Sequence, residues 1–222
     1  MTQLSQDVIG VLTNFASINP NFVYESDKPL GTISPTKSIV AQYTGDAEVF
    51  PVDFSKYGIY DLNEFLTALG LVGENANLDF SEKSVSINGD SGSIEYFFSR
   101  RETLNVSVVS ITMPGEELKF NITQAELGQL KKASSVFGHK KVQFSSTDGV
   151  VTARVCDPAN ATAASFSLTI EGATQTEDVK FVLDIDNLKL VKGDYEVTYA
   201  KAGITLFDNA AENMRYWIAV ER

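Results

Sequence analysis

The chain holds one histidine, His139, and one cysteine, Cys156, in 222 residues. Nucleophile–histidine catalysis would have to use His139, which stands among lysines where a helical pattern gives way to a strand pattern. No Gly-x-Ser-x-Gly elbow, phosphate-binding loop, dinucleotide fingerprint or His/Cys metal spacing accompanies it. His139 therefore reads as a surface residue, and no cofactor or metal is expected. Cys156 lies in an alternating segment and reads as a small packing residue. Asp184 and Asp186 have the types for a carboxylate pair, but capping of a helix N-terminus is the better account of them. Glu116-Glu117 is most simply a solvated loop. The sequence predicts a protein that is not an enzyme.

What remains is a cluster of cations. The protein is acidic, with 18 Lys and Arg against 29 Asp and Glu, yet Lys131, Lys132, Lys140 and Lys141 join His139 within eleven residues. On a helical wheel the apolar stripe of this stretch runs through Leu127, Leu130, Ser134 and Phe137. Lys132 lies almost opposite that stripe and Lys131 on its flank. The plain reading is a solvated helix face, with Lys140 and Lys141 favoured by the C-terminal helix dipole. The alternative is a surface for an anionic partner. Lys189 and Lys192 add charge nearby, with stems that can pack while their ammonium groups reach outward.

Net charge −11 argues against tight passive binding to nucleic acid, in which neutralised phosphates supply most of the affinity. Residues 1–110 carry 6 basic and 14 acidic groups and residues 111–222 carry 12 and 15, so the excess is concentrated in the first half. The N-terminal residues lack a basic region followed by an apolar stretch, so no signal peptide is expected. No run approaches the ~18 apolar residues of a membrane span. A single cysteine excludes internal disulfides and fits a reducing compartment. The Asn105, Asn121 and Asn160 sequons are most simply chance matches in a Ser/Thr-rich chain.

An internal repeat organises the elements. "LSQDVIGVLTNFAS" (4–17) aligns with "ITQAELGQLKKASS" (122–135), matching Gln6 to Gln124, Gly10 to Gly128, Leu12 to Leu130 and Ser17 to Ser135. "DLNEFLTALG" (61–70) aligns with "DIDNLKLVKG" (184–193). A unit of about 110 residues, within the usual domain range, is thus duplicated. Each unit should open with a helix, through Leu4, Val8, Leu12 and Phe15 in the first, and carry a second, shorter helix later. Thr123 with Glu126 forms a capping box, and Asp61 with Glu64 starts a helix in the same way, ending at a left-handed Gly70. Gly10 and Gly128 cost each long helix roughly 1 kcal/mol, which close approach of a neighbouring helix would explain. Between the helices run alternating segments. Residues 83–98 and 141–156 read as hairpins, the second turning at Asp148-Gly149, and 165–172, 195–208 and 215–221 as strands. The expected fold is α+β, two similar domains over 1–110 and 111–222, joined by a connector at about 99–118.

In order and spacing, "LSQDVIGVLTNFASIN", "IYDLNEFL" (59–66), "AELGQLKK" (125–132) and "NLKLVKGDYEV" (187–197) resemble the sliding clamp, or DNA polymerase processivity factor, of tailed phages. The resemblance implies a DNA-clamp fold, with helices lining a ring and a continuous antiparallel sheet outside. It implies a homotrimer closed head to tail, encircling duplex DNA. The partners implied are the DNA polymerase and a clamp-loader ATPase, with a role in late transcription, in the cytoplasm of an infected bacterial host and with no membrane. Lys131, Lys132, Lys189 and Lys192 would then face DNA. The first helix departs from the family's basic pattern and offers only Gln6 and Thr13. Edge strands would pair between subunits through 93–99 (Tyr96, Phe97, Phe98) and 164–171 (Phe166, Leu168, Ile170). Val106, Val108, Val109, Ile111 and Met113 would contribute to a pocket for a partner's peptide tail. The alternative is a duplicated α+β structural or interaction protein, such as a virion or assembly component, with no DNA inside it.

Overall fold

The computed structural model describes residues 2–24, 28–46, 58–73, 75–104, 106, 111–160, 162–173 and 178–221. It divides into two compact units, Met1–Ser110 and Ile111–Arg222, each with its own core.

In the first unit, α1 (Gln6–Ile18) begins where the Ser5 hydroxyl accepts a hydrogen bond from the Val8 N–H, so Leu4 lies ahead of the helix. The spacing of Val8, Val11, Leu12 and Phe15 buries one face against α2 (Leu62–Val72) and the β2 (Gly31–Ile33) and β3 (Ile39–Tyr43) pair. The short strands β1 (Phe22–Val23) and β4 (Gly58–Ile59) pair beside them. Asp61 caps α2, its carboxylate accepting from the backbone N–H groups of Asn63 and Glu64. The helix does not stop at Gly70; it continues to Val72 and ends at Gly73. Leu62, Phe65 and Leu69 pack it on β6 (Ser84–Gly89) and β7 (Gly92–Phe97), which with β5 (Asn77–Phe80) form an antiparallel meander.

At Gly89 helix and sheet approach so closely that an added Cβ would clash with the Val72 carbonyl oxygen. At Gly10 and Gly128 an added Cβ would meet nothing within 4 Å, and both face solvent, so helix-to-helix contact is not what places them.

In the second unit, β8 (Leu118–Ile122) leads into α3 (Gln124–Phe137) through the expected box. The Glu126 N–H donates to the Thr123 hydroxyl at 3.2 Å and the Thr123 N–H to the Glu126 carboxylate at 2.7 Å. Leu127, Leu130 and Ala133 form the buried face of α3, over β10 (Val150–Cys156) and β11 (Phe166–Ile170). Phe137 is not part of that face: it is 37% exposed, next to Val136 at 68%. Strands β11, β10, β9 (Lys141–Thr147) and β12 (Val179–Asp184) form one antiparallel sheet in that order, with β9 and β10 turning at Asp148-Gly149 as expected. Strands β8, β13 (Tyr195–Ala200), β14 (Ile204–Asn209) and β15 (Met214–Ala219) pair consecutively. Phe120, Phe144, Phe181 and Tyr199 stack through the core with neighbouring ring centroids 4.4–5.7 Å apart.

The expected second helix of this unit is absent. After β12 there is a single 3₁₀ turn, Ile185–Asn187, and then an irregular segment to Asp194. Among the described residues the duplication is therefore unequal, with two α-helices in the first unit and one in the second, where a 3₁₀ turn stands at the place expected for another.

Candidate nucleic-acid interface

The exposed face of α3 carries Gln124, Gly128, Lys131, Lys132 and Ser135, at helical intervals of three, four and seven residues. Neither Lys131 nor Lys132 has an acidic partner among the described residues. Burial against its surroundings lowers the pKa of Lys131 from the ordinary lysine value, although the side chain remains open to solvent. An unpaired, partly desolvated ammonium gains when an anion approaches, because the anion supplies the charge that its surroundings do not.

The rest of the basic island is engaged internally. Lys140 Nζ lies 2.6 Å from Asp186 Oδ2, and Lys141 Nζ lies 2.9 Å from both Asp184 Oδ2 and Glu221 Oε2. Burial opposes the charge on Asp184, but hydrogen bonds from Lys141 and the Asp186 N–H outweigh it and lower its pKa from the ordinary carboxylate value. The Lys141 pKa is raised, the two carboxylates outweighing its own desolvation. His139 stacks on Phe137 at 6.2 Å, and its Nε2 lies 2.8 Å from the Ala164 carbonyl oxygen. These three residues tie the far end of α3 to the neighbouring strands. Sequence reasoning missed that role and favoured capping for Asp184 and Asp186 over a carboxylate pair; Asp184 both caps the turn and pairs with Lys141.

Lys189 and Lys192 are exposed on the segment that follows the 3₁₀ turn, not on a helix. Gln6 and Thr13 are exposed on α1, and the Thr13 hydroxyl already donates to the Ile9 carbonyl at 2.7 Å. Neither α1 nor α2 contains a Lys or Arg, whereas their ends carry Asp7, Asp61 and Glu64.

The residues expected at subunit edges divide. Phe97 is 65% exposed on β7. Tyr96 turns inward, its ring 5.3 Å from Phe65 and its hydroxyl donating to the Asp61 carbonyl, and Phe98 stacks on Phe80 at 6.2 Å. On β11, Phe166 and Leu168 are half-buried and Ile170 is buried in its own unit. Among the described residues, β7 pairs only with β6, and β11 only with β10. The opposite ends of these two sheets are covered. Thr2 and Leu78 exchange backbone hydrogen bonds at 3.0 and 2.7 Å along β5, and the Glu221 N–H donates to Val182 O on β12 at 2.9 Å. Val106, Ile111 and Met113 are half-buried; Val108 and Val109 lie outside the described residues.

Among the described residues no group of three or more His, Cys, Asp or Glu side chains is placed to hold a metal ion, and no helix is long and apolar enough to cross a membrane.

Comparison with known proteins bears on the family and the fold. Residues 119–222 match the family described as gp45 sliding clamp, C terminal. A protein named sliding clamp from Vibrio phage KVP40 is 30% identical over 225 aligned residues, covering 99% of each chain. A sliding clamp from Escherichia phage RB69 is 25% identical, covering 90% of this chain and 88% of its own. Two solved structures share the fold. Proliferating Cellular Nuclear Antigen from Entamoeba histolytica has a TM-score of 0.68 at 12% identity, covering 96% of this chain and 94% of its own. A PCNA2–PCNA3 complex from Sulfolobus tokodaii has a TM-score of 0.65 at 14% identity, covering 97% and 96%. The α+β architecture is the DNA-clamp fold, and relatives matched along nearly the whole length leave the virion-component alternative without support. By this full-length match the chain belongs to the sliding clamp family.

Proposed function

We propose that this protein is a non-catalytic ring that encircles duplex DNA and tethers the replicative DNA polymerase for processive synthesis. Three copies close head to tail, a separate clamp-loader ATPase opens and loads the ring, and the same ring serves late transcription in the cytoplasm of the infected bacterial host. The observation that carries this reading is the pair Lys131 and Lys132, without acidic partners among the described residues, on one exposed helix face of a chain with net charge −11. A sliding ring has to hold DNA without gripping it. Many phosphate contacts give high, salt-sensitive affinity and also hold the protein in place. Topological retention removes the need for affinity, so a few lysines among Gln, Gly and Ser suffice as a track that reads no sequence.

Ring closure uses the edges of β7 and β11 from adjacent subunits, a heterologous contact that closes into a ring when its rotation permits. Backbone hydrogen bonds supply the pairing and Phe97 supplies apolar area.

Light scattering should give the mass of a trimer at micromolar concentration; a stable monomer with no effect on polymerase processivity would overturn the reading. Lys131→Glu with Lys132→Glu should leave the ring assembled while loading or processivity falls. Unchanged activity in that variant would remove both lysines from the DNA track.

A further inference from the structure

Residues 184–194 form a strap tied at both ends of α3, and those ties explain why it is not helical. At one end the Ile185 N–H donates to the Lys140 carbonyl at 2.8 Å, and the Lys140–Asp186 and Lys141–Asp184 ion pairs flank that bond. At the other end Asp194 Oδ1 accepts from the Gln124 N–H, in the first turn of α3, at 2.8 Å. The strap thus runs antiparallel to α3, fixed just beyond its last turn and at its first. The 14 residues of α3 span about 21 Å at 1.5 Å per residue. The ten residues from Ile185 to Asp194 wound as a helix would cover only about 15 Å, whereas extended they reach about 33–36 Å. Gly193 completes the path with φ +141°, where a Cβ would lie 2.3 Å from Asn209 Nδ2.

The middle of the strap is held by two tyrosines. The Tyr195 hydroxyl donates to the Val191 carbonyl at 2.7 Å, and the Val191 N–H donates to the Tyr216 hydroxyl at 3.2 Å. Both tyrosines are at most 1% exposed, and burial raises their pKa well above the ordinary phenol value, so they stay neutral. One backbone position therefore has both its polar groups held by buried side chains, and the exposed Lys189 and Lys192 stand two residues before it and one after it.

We propose that Tyr195 and Tyr216 are positioning residues for DNA contact: by fixing Val191 they hold Lys189 and Lys192 as a second cationic element beside the Lys131–Lys132 face of α3. The proposal rests on the ring reading above. A strap free at its centre would let these lysines sample many orientations, and each phosphate contact would then cost the ordering of that backbone. Held in place, they meet the phosphates without that loss. All cations of the track then come from the second unit.

The test is the salt dependence of duplex binding by the assembled protein, measured by fluorescence anisotropy on a labelled duplex, with light scattering and thermal melting as controls. Lys189→Ala with Lys192→Ala should flatten the slope of log K against log salt by about 0.9 for each phosphate that is no longer neutralised. Tyr195→Phe with Tyr216→Phe removes no charge and should flatten the slope to a similar degree while the protein remains a ring. Combining all four changes should add little beyond either pair. A wild-type slope in an assembled tyrosine variant, with a flattened slope in the lysine variant, overturns the positioning role. An unchanged slope in the lysine variant shows that the strap does not touch DNA and overturns the proposal, independently of the Lys131 and Lys132 result. Should the double tyrosine variant fail to assemble, Tyr195→Phe alone decides the same question by removing only the hydrogen bond to the Val191 carbonyl: a flattened slope supports the proposal and a wild-type slope overturns it.

Discussion

Lys141 and Asp184 face each other across the β9–β12 pairing, Nζ to Oδ2 at 2.9 Å, at the point where the basic island ends and the strap begins. Their pKa shifts set a pH window. Asp184 is lowered in the folded protein, so the stability it confers is present above the unfolded carboxylate value of about 3.9 and is lost as pH falls through the lower folded value. Lys141 is raised, so its contribution is present below the unfolded lysine value of about 10.4 and is lost as pH rises through the higher folded value. Asp184→Asn should cost about 1 kcal/mol at pH 7, as for other partly exposed pairs. In urea melts across pH the difference from wild type should be flat between these limits and shrink below about pH 4. A difference that persists undiminished at pH 2 would assign the cost to something other than charge.

Phe97 is the most exposed aromatic of the two edge strands, and its neighbours Tyr96 and Phe98 are committed inward. Phe97→Asp should lower the assembled mass towards that of one subunit while leaving each unit folded, since the ring contributes little to its own core. Burying Phe97 at an interface contributes about 1.5–3 kcal/mol per contact, enough to shift assembly at micromolar concentration. Light scattering paired with circular dichroism checks both halves; an unchanged mass would remove Phe97 from the interface.

α1 carries no cation, and the Thr13 hydroxyl is spent on the Ile9 carbonyl. Thr13→Ala should therefore leave DNA association unchanged. Thr13→Lys, with the new ammonium on an open face, should strengthen binding of linear duplex, steepen its salt dependence by about 0.9 for each additional phosphate neutralised, and slow sliding of the loaded ring. Single-molecule diffusion on stretched DNA reads the last effect. A loss of binding in Thr13→Ala would mean that the first unit already shares the contact.

Much of the fold was legible because its signals are local. Asp61 and Thr123 stand where helix caps must stand, and the hydrophobic period sets Val8 to Phe15 inward, although it did not show that Ser5 caps the first helix and leaves Leu4 outside. The hairpin at Asp148-Gly149 was legible in the same way. The second unit's missing helix was not, because "DIDNLKLVKG" has a helical pattern that tertiary ties override: Asp194 belongs to the first turn of α3, seventy residues away. Phe137 failed for a similar reason, since Ala133 fills the inward position and leaves the larger ring outside. At the site, Lys131 and Lys132 could be placed from the helical wheel. The fate of Lys140 and Lys141 depended on the β9–β12 register, which sets Asp184 opposite Lys141 and which no local pattern announces.

The strap also has a mechanical consequence. On a ring towed along DNA, drag on Lys189 or Lys192 would pass in parallel to two anchors, one at Lys140 and Lys141 and one at Gln124. With Val191 held between them, a load that breaks one anchor leaves the other and the central staple in place. With the DNA contact proposed above, such a strap would act as a beam clamped at both ends rather than a hinged arm, and its lysines would follow the advancing helix of DNA by small elastic shifts instead of peeling away.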